Sequence, residues 1–180
     1  MAYASNESKL AEMILYVCQK CADDPCFGAI KLNKILYFAD FYHYGNFGTP
    51  ITGVEYQKLP HGPAPRRLVP VRDRLIEERA LGIQPVALVS GATQKRPVNL
   101  RQANLKMFSG DEIATIDEII DVLRNLNSAQ ASELSHQMVG WLAVDEGATI
   151  PYSTVFLSNE PLNEAEIRRG IEIAQKYGLV

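Results

Sequence analysis

KLNKILYFADFYHYG, residues 31–45, is a helix-length stretch with almost no polar face. At 100° per residue, Leu32, Ile35, Leu36, Phe38, Ala39 and Tyr42 form one apolar arc and Ile30, Tyr37, Phe41 and Tyr44 form a second. Only a thin polar stripe, Asn33 and Asp40, separates them. A helix that is apolar on most sides has neighbours on most sides. The stretch therefore predicts a central post, over about 29–45, around which the other helices pack. Gly45, with Gly48 and Pro50 beyond it, marks its expected end. Lys31 and Lys34 flank its first turns, and Asp40 is placed to pair with an Arg of a neighbouring helix.

Working outward, residues 6–21 predict an earlier helix, capped by Ser5 or Asn6 and ended by Asp23, Asp24 and Pro25. After the central helix, Thr52 to Leu59 alternates weakly and predicts a short strand closed by Pro60. The loop HGPAP (61–65) then leads into a helix over about 65–80, in which Pro70 is tolerated only near the start, so that Val69 is an alternative beginning. Segments 83–89 and 97–101 are strand candidates joined by SGATQK, and Pro85 makes the first an edge strand. With 52–59 they are expected to form a small antiparallel sheet. Ser109, Gly110, Asp111 and Glu112 spell a capping box ahead of Ile113, Ile116, Ile120 and Leu123. A helix over about 129–138 and a helical turn from Trp141 to Glu146 follow. Asn163 and Glu166 repeat the capping pattern for a last helix, 164–177, with Ile167, Ile171 and Ala174 expected inward. The fold class is α+β, a mainly helical single domain over 1–180 with a small antiparallel sheet.

Composition limits the function classes. At 180 residues and 47% hydrophobic, the chain suits one domain that buries roughly 70% of its unfolded surface. A net charge of −3 argues against nucleic acid as the main partner, because non-specific binding to it needs a basic surface. The N-terminus lacks the basic start and apolar run of a signal peptide, and no 18 apolar residues follow one another. A cytoplasmic protein without membrane contact is expected. Cys18, Cys21 and Cys26 are odd in number, with no fourth ligand at finger-like spacing, and Cys18 and Cys21, at i, i+3, read as two small buried residues on an apolar helix face; no metal and no cofactor is expected. There is no GxSxG elbow, no GxxxxGK loop, no HExxH and no dinucleotide fingerprint. His61, His136, Asp40 and Glu146 are the available acid and base groups, but nothing in their spacing requires them to meet, and no catalytic residue is assigned.

Candidate binding residues gather after the central helix. His61, between Pro60 and Gly62–Pro63, sits on a stiffened loop that either presents it to a partner or packs its ring on Tyr56 or Tyr44. Lys58, Arg66, Arg67, Arg72, Arg74 and Arg79 outnumber the acids Asp73, Glu77 and Glu78 in the same window. Arg72 to Arg79 read as a solvated helix face, whereas Arg66 and Arg67, beside the rigid loop, suit recognition of phosphates or of an acidic partner. His136 and Trp141 lie near a helix end, as a partner surface or as a core Trp with a hydrogen-bonding His. Asp111 to Asp121, with Glu112, Asp117 and Glu118, offers an acidic face.

KLNKILYFAD (31–40), HGP (61–63) and ASELSHQMVGWLAVDEGATIP (131–151) together resemble the Panacea domain of SocA-like antitoxins. The resemblance covers about 8–151 and rests on Lys31, Leu32, Lys34, Leu36, Tyr37, Gly62, Pro63, Leu134, His136 and Trp141. Ser135 stands where that family carries Thr, and Met138 and Gly140 where an acid and a Pro are expected. The resemblance implies an antitoxin, bacterial or phage-associated, that binds a protein toxin encoded beside it. Lys58, His61, Arg66, Arg67, His136 and Trp141 are the expected partner-binding residues. It also implies an alternative, an adaptor that delivers the toxin to a cellular protease. A weaker alternative is a hydrolase that reverses the toxin's damage.

Overall fold

The computed structural model describes residues 4–87, 91 and 93–178. Helices α1 (Glu7–Lys20) and α2 (Ala29–Phe47) come first, followed by the short strands β1 (Tyr56–Gln57) and β2 (Ala64–Pro65) and by α3 (Leu68–Glu77). Strands β3 (Leu81–Ala87) and β4 (Thr93–Asn99) lead to α4 (Gly110–Leu123), α5 (Ser128–His136) and α6 (Val139–Leu142). Strand β5 (Thr149–Ile150), a 3-10 segment Tyr152–Phe156 and α7 (Glu164–Lys176) complete the chain's mainly helical α+β architecture.

Helix α2 is the central post. It contacts α1, α4, α5, β2, β4 and the 152–156 segment, and Leu32, Ile35, Leu36, Tyr37, Ala39 and Phe41 are buried in the common core. Tyr37, Phe41, Tyr56 and Tyr152 form an aromatic cluster, with Tyr37 4.2 Å from Phe41 and Tyr152 4.6 Å from Phe41 between ring centroids. The helix does not stop at Gly45. It continues to Phe47 and ends on Gly48, whose φ of 73° and N–H bond to the Tyr44 carbonyl (2.8 Å) make the left-handed cap. Gly45 is used for packing, since the Val155 side chain reaches to 3.5 Å of where a Cβ would stand.

The polar groups of α2 are more deeply enclosed than its sequence suggests. Lys31 is fully buried and donates to Asp24 Oδ2 (2.6 Å) and to the Arg124 carbonyl (2.9 Å). Asp40 does not pair with an Arg. It is fully buried and accepts from Thr52 N (2.7 Å), Thr52 Oγ1 (2.5 Å) and Tyr56 OH (2.7 Å). Burial pushes its carboxyl pKa up, against the pull of those donors. Asp40 thereby ties the helix to the segment that enters β1. Tyr42, placed by periodicity in an apolar arc, is exposed and reaches Glu118 Oε1 at 3.2 Å.

The sheets differ from expectation. β1 pairs antiparallel with β2 on one side and β5 on the other, with Tyr56 opposite both Pro65 and Ile150. β3 and β4 form a separate two-stranded ribbon, with Ile83 opposite Pro97 and Pro85 opposite Lys95. The expected sheet joining 52–59 to 83–89 and 97–101 is therefore incorrect: only Tyr56–Gln57 of the first segment is strand, and its partners are Ala64–Pro65 and Thr149–Ile150. Two-residue strands carry no readable alternation, and pairing Tyr56 with Ile150 and Gln57 with Thr149, so far along the chain, has no local signal. Both strands of a two-stranded ribbon are edges, where Pro is tolerated. Leu88, Val89, Ser90 and Ala92, part of the expected strand and turn, lie outside the described residues, and Thr93 to Lys95, expected in the turn, belong to β4.

The capping boxes form as read. Ser109 Oγ accepts from the Glu112 N–H (3.2 Å) and Glu112 Oε2 from the Ser109 N–H (2.8 Å), and Asn163 with Glu166 does the same for α7. Helix α3 starts at Leu68, which leaves Pro70 within its first turn. The last helix departs from expectation. Ile167 and Ile171 are 47% and 51% exposed, and no residue of α7 is buried. Cys18 on α1 and Cys21 at its C-cap are buried, and burial raises both thiol pKa values, that of Cys21 to about 12. No described helix is long and apolar enough to cross a membrane.

Candidate functional site

Residues 58–63, KLPHGP, form the loop of the hairpin that joins β1 to β2. Pro60 sits at the second position of a β-turn closed by the Gly62 N–H and the Leu59 carbonyl at 2.8 Å. Gly62 has φ 97°, which disfavours side chains, and a Cβ there would overlap Lys34 Nζ and Ser135 Oγ. His61 projects from the turn and is exposed. The loop is held at three of its carbonyls, those of Lys58, Leu59 and His61. Lys58 O accepts from the Gly147 N–H (2.8 Å) and Leu59 O from Trp141 Nε1 (3.3 Å), while His61 O accepts from Lys34 Nζ and from Ser132 Oγ (3.2 Å).

Lys34 is the buried anchor of this loop. Its side chain is only 1% exposed, and no carboxylate faces it among the described ion pairs. Burial lowers its pKa to about 8. Beside it, α5 and α6 bring His136 and Trp141 into a stack with ring centroids 4.1 Å apart and planes at 21°. The Lys58 ammonium lies 4.2 Å from the Trp141 ring and donates to the Val144 carbonyl (2.8 Å). Burial, and then the charge of Lys34, lowers the His136 pKa, and His136 Nε2 is a buried nitrogen without a hydrogen-bond partner in the structure. Gly140 is required by packing, because a Cβ would overlap Thr154 Oγ1 and Ile150 Cγ2. Ser135 is buried and donates to the Ser132 carbonyl (2.7 Å).

The six expected partner-binding residues thus fall into two groups. Lys58, His61, His136 and Trp141 share the rigid loop and its platform. Arg66 and Arg67 line a neighbouring cleft of about 670 Å³ with Glu7, Tyr44, Glu55 and Tyr152. Arg66 is spent on the fold, donating to Gln57 Oε1 (3.0 Å), Thr149 Oγ1 (3.0 Å) and the Gly147 carbonyl (2.6 Å) across the β1–β5 pair. Arg67 is exposed and paired with Glu7 at 2.6 Å. The ring of His61 packs on neither Tyr56 nor Tyr44 in any described ring contact. Lys34 was missed as a site residue, although its place one turn after Lys31, on a helix with almost no polar face, was a signal that it had to be paired inside.

The chemistry available is recognition by cation and aromatic surface. Asp40 is enclosed by Thr52 and Tyr56 and serves the fold. The acids of α4 are largely engaged within the chain: Glu112 with Lys9 (2.6 Å), Asp117 with Tyr16 (2.8 Å) and Lys20 (3.1 Å). Among the described residues no three His, Cys, Asp or Glu side chains are grouped to hold a metal ion.

No curated protein and no solved structure matches the chain. The family model described as antitoxin SocA-like, Panacea domain, matches residues 32–142, more than half of the chain. That span opens on α2 with Lys34 and closes just after Trp141, so it takes in the anchored loop and its stacked platform. The chain belongs to the SocA-like antitoxin family, as a carrier of its Panacea domain.

Proposed function

We propose that this protein neutralises a toxin encoded beside it by binding that toxin directly, with the loop 58–63 and the His136–Trp141 stack as the contact face. The observation that supports this reading most is the rigidity of the face: an exposed His61 on a turn whose carbonyls are held by Lys34, Ser132 and Trp141. A preorganised surface with aromatic and cationic groups loses little entropy on binding, and Trp and Tyr are common interface anchors. Inhibition is stoichiometric and requires no catalytic group of this chain.

The test is growth of cells expressing the product of the adjacent reading frame, with and without this chain. Arrest by the neighbour alone, relieved by coexpression of wild type and not of His61→Ala/Trp141→Ala at equal protein level, is the expected result. Full relief by that variant would remove the platform from the interface, and absence of toxicity from either neighbour would overturn the antitoxin reading. Toxin half-life in the same cells separates occlusion, which leaves the toxin intact, from delivery to a protease.

A further inference from the structure

Two features of the chain have no role so far. One is α7, a helix of 13 residues. Its start is well made: Asn163 Oδ1 accepts from the Ala165 and Glu166 N–H groups at 3.0 Å, and Glu166 Oε2 from the Asn163 N–H at 2.8 Å. Ile167, Ile171 and Ala174 fall on one side at i, i+4 and i+7, yet every residue of the helix except Ala174 is exposed. Leu162, just ahead of it, is 64% exposed. A helix this short is marginal in water alone and draws most of its stability from packing its apolar face. It needs a surface.

The other feature is a groove of about 490 Å³ between α3, the β3–β4 ribbon and the first turns of α2. Val69 and Ile76 enter it from one face of α3, and Ile83 from β3, and these three are 52%, 38% and 40% exposed. Arg66, Arg72 and Lys95 line it, with no carboxylate among the described lining residues. Arg66 and Arg72 have acidic neighbours in Glu55 and Asp73, whereas Lys95 makes no ion pair among the described residues. Asn33 Oδ1, in the same wall, is a buried acceptor without a donor.

The two features are complementary. The helix offers an apolar stripe for the groove, Glu164 and Glu166 at its acidic end for Lys95, and Arg168 and Gln175 as donors for Asn33. A lipid surface is disfavoured, because Glu164, Glu166 and Glu172 balance Arg168, Arg169 and Lys176, and interfacial helices are rich in basic residues. In the structure α7 does not occupy its own groove. The connecting segment 157–163 spans up to roughly 25 Å when extended, enough to reach a neighbour. A helix about 20 Å long and 10 Å wide covers only a few hundred Å², against about 800 Å² per partner in a stable interface. A two-fold exchange doubles that contact and closes on itself, which gives a dimer and not a filament.

We propose that α7 of one copy lies in the groove between α3 and the β3–β4 ribbon of a second copy, in a reciprocal exchange. Sedimentation equilibrium of the full chain over a wide concentration range tests it, with Ile167→Glu/Ile171→Glu as the helix variant and Val69→Glu/Ile83→Glu as the groove variant. All four positions are exposed, so circular dichroism should find both variants folded. Wild type is expected to dimerise and each variant to be monomeric. An equimolar mixture of the two variants should associate at high concentration, since one intact helix still meets one intact groove. A wild type that stays monomeric throughout, or a dimer indifferent to either variant, overturns the proposal.

Discussion

At the scale of the residue, the two lysines of α2 show how one side-chain type serves two ends. Lys31 is neutralised by Asp24 with side-chain exposures of 0% and 3%. Removing one partner of a buried pair leaves the other charge stranded, so Lys31→Met should cost about 3–5 kcal/mol. Adding Asp24→Leu should recover part of that loss, as urea unfolding of the two variants will show; a double variant as unstable as the sum of both singles would mean that the pair is not coupled. Lys34 has only a carbonyl partner, and burial lowers its pKa to about 8 from an ordinary 10.5. Below pH 8 both folded and unfolded chains hold the proton. Between 8 and 10.5 the unfolded chain binds it and the folded chain does not, so this residue makes stability rise with pH across that window. Tyr37, Tyr56 and Tyr152, whose pKa values burial raises, act the opposite way at the alkaline end. The stability difference between wild type and Lys34→Met isolates the lysine. It should change in favour of wild type as pH passes upward through 8, and a difference that is flat with pH would show that the proton stays in place. In the same variant the His136 pKa, followed by NMR, should rise, because one of the charges that holds it down is gone.

At the scale of the element, α2 decides the architecture and the 58–63 loop depends on it. Leu36 is fully buried beside Tyr37 and Ile35. Leu36→Asp places a carboxylate there without a partner, a cost of several kcal/mol on the order of the whole stability. The variant is expected to lack a cooperative thermal transition, and one with wild-type melting would contradict the packing of α2. Gly62→Ala is a milder probe of the loop. Its φ of 97° and the overlap with Lys34 and Ser135 should cost about 1–3 kcal/mol, measured as a lower midpoint in urea, and a variant as stable as wild type would mean that the loop relaxes freely. α7 is the element where periodicity misled: a stripe of Ile167, Ile171 and Ala174 says that a face must be covered, not what covers it.

At the scale of the whole molecule, the Arg pair separates fold from function. Arg66→Glu loses bonds to Gln57, Thr149 and Gly147 and meets Glu55, so a lower melting temperature is expected. Arg67→Glu gives up one exposed pair with Glu7, worth about 0–1 kcal/mol, and should melt as wild type does. If Arg67 touches the toxin, Arg67→Glu weakens protection in the growth test at unchanged protein level; full protection would take it out of the interface.

What the sequence determined by itself is whatever local periodicity and capping encode. The central helix, the α1 and α4 helices with their caps, and the stiff HGP turn were legible, because each rests on residues within a few positions of one another. Lys58, His61, Arg66, Arg67, His136 and Trp141 could be picked out as candidates from residue type and loop context, but not which of them meet in space. Tertiary structure decided the rest: that β1 pairs with Thr149–Ile150, that Asp40 is satisfied by Thr52 and Tyr56 and not by an Arg, and that Lys34 anchors the His61 carbonyl. These contacts join segments that carry no mark of each other. Burial, which compels a polar group to find a partner, is a property of the packed chain and not of any stretch of it.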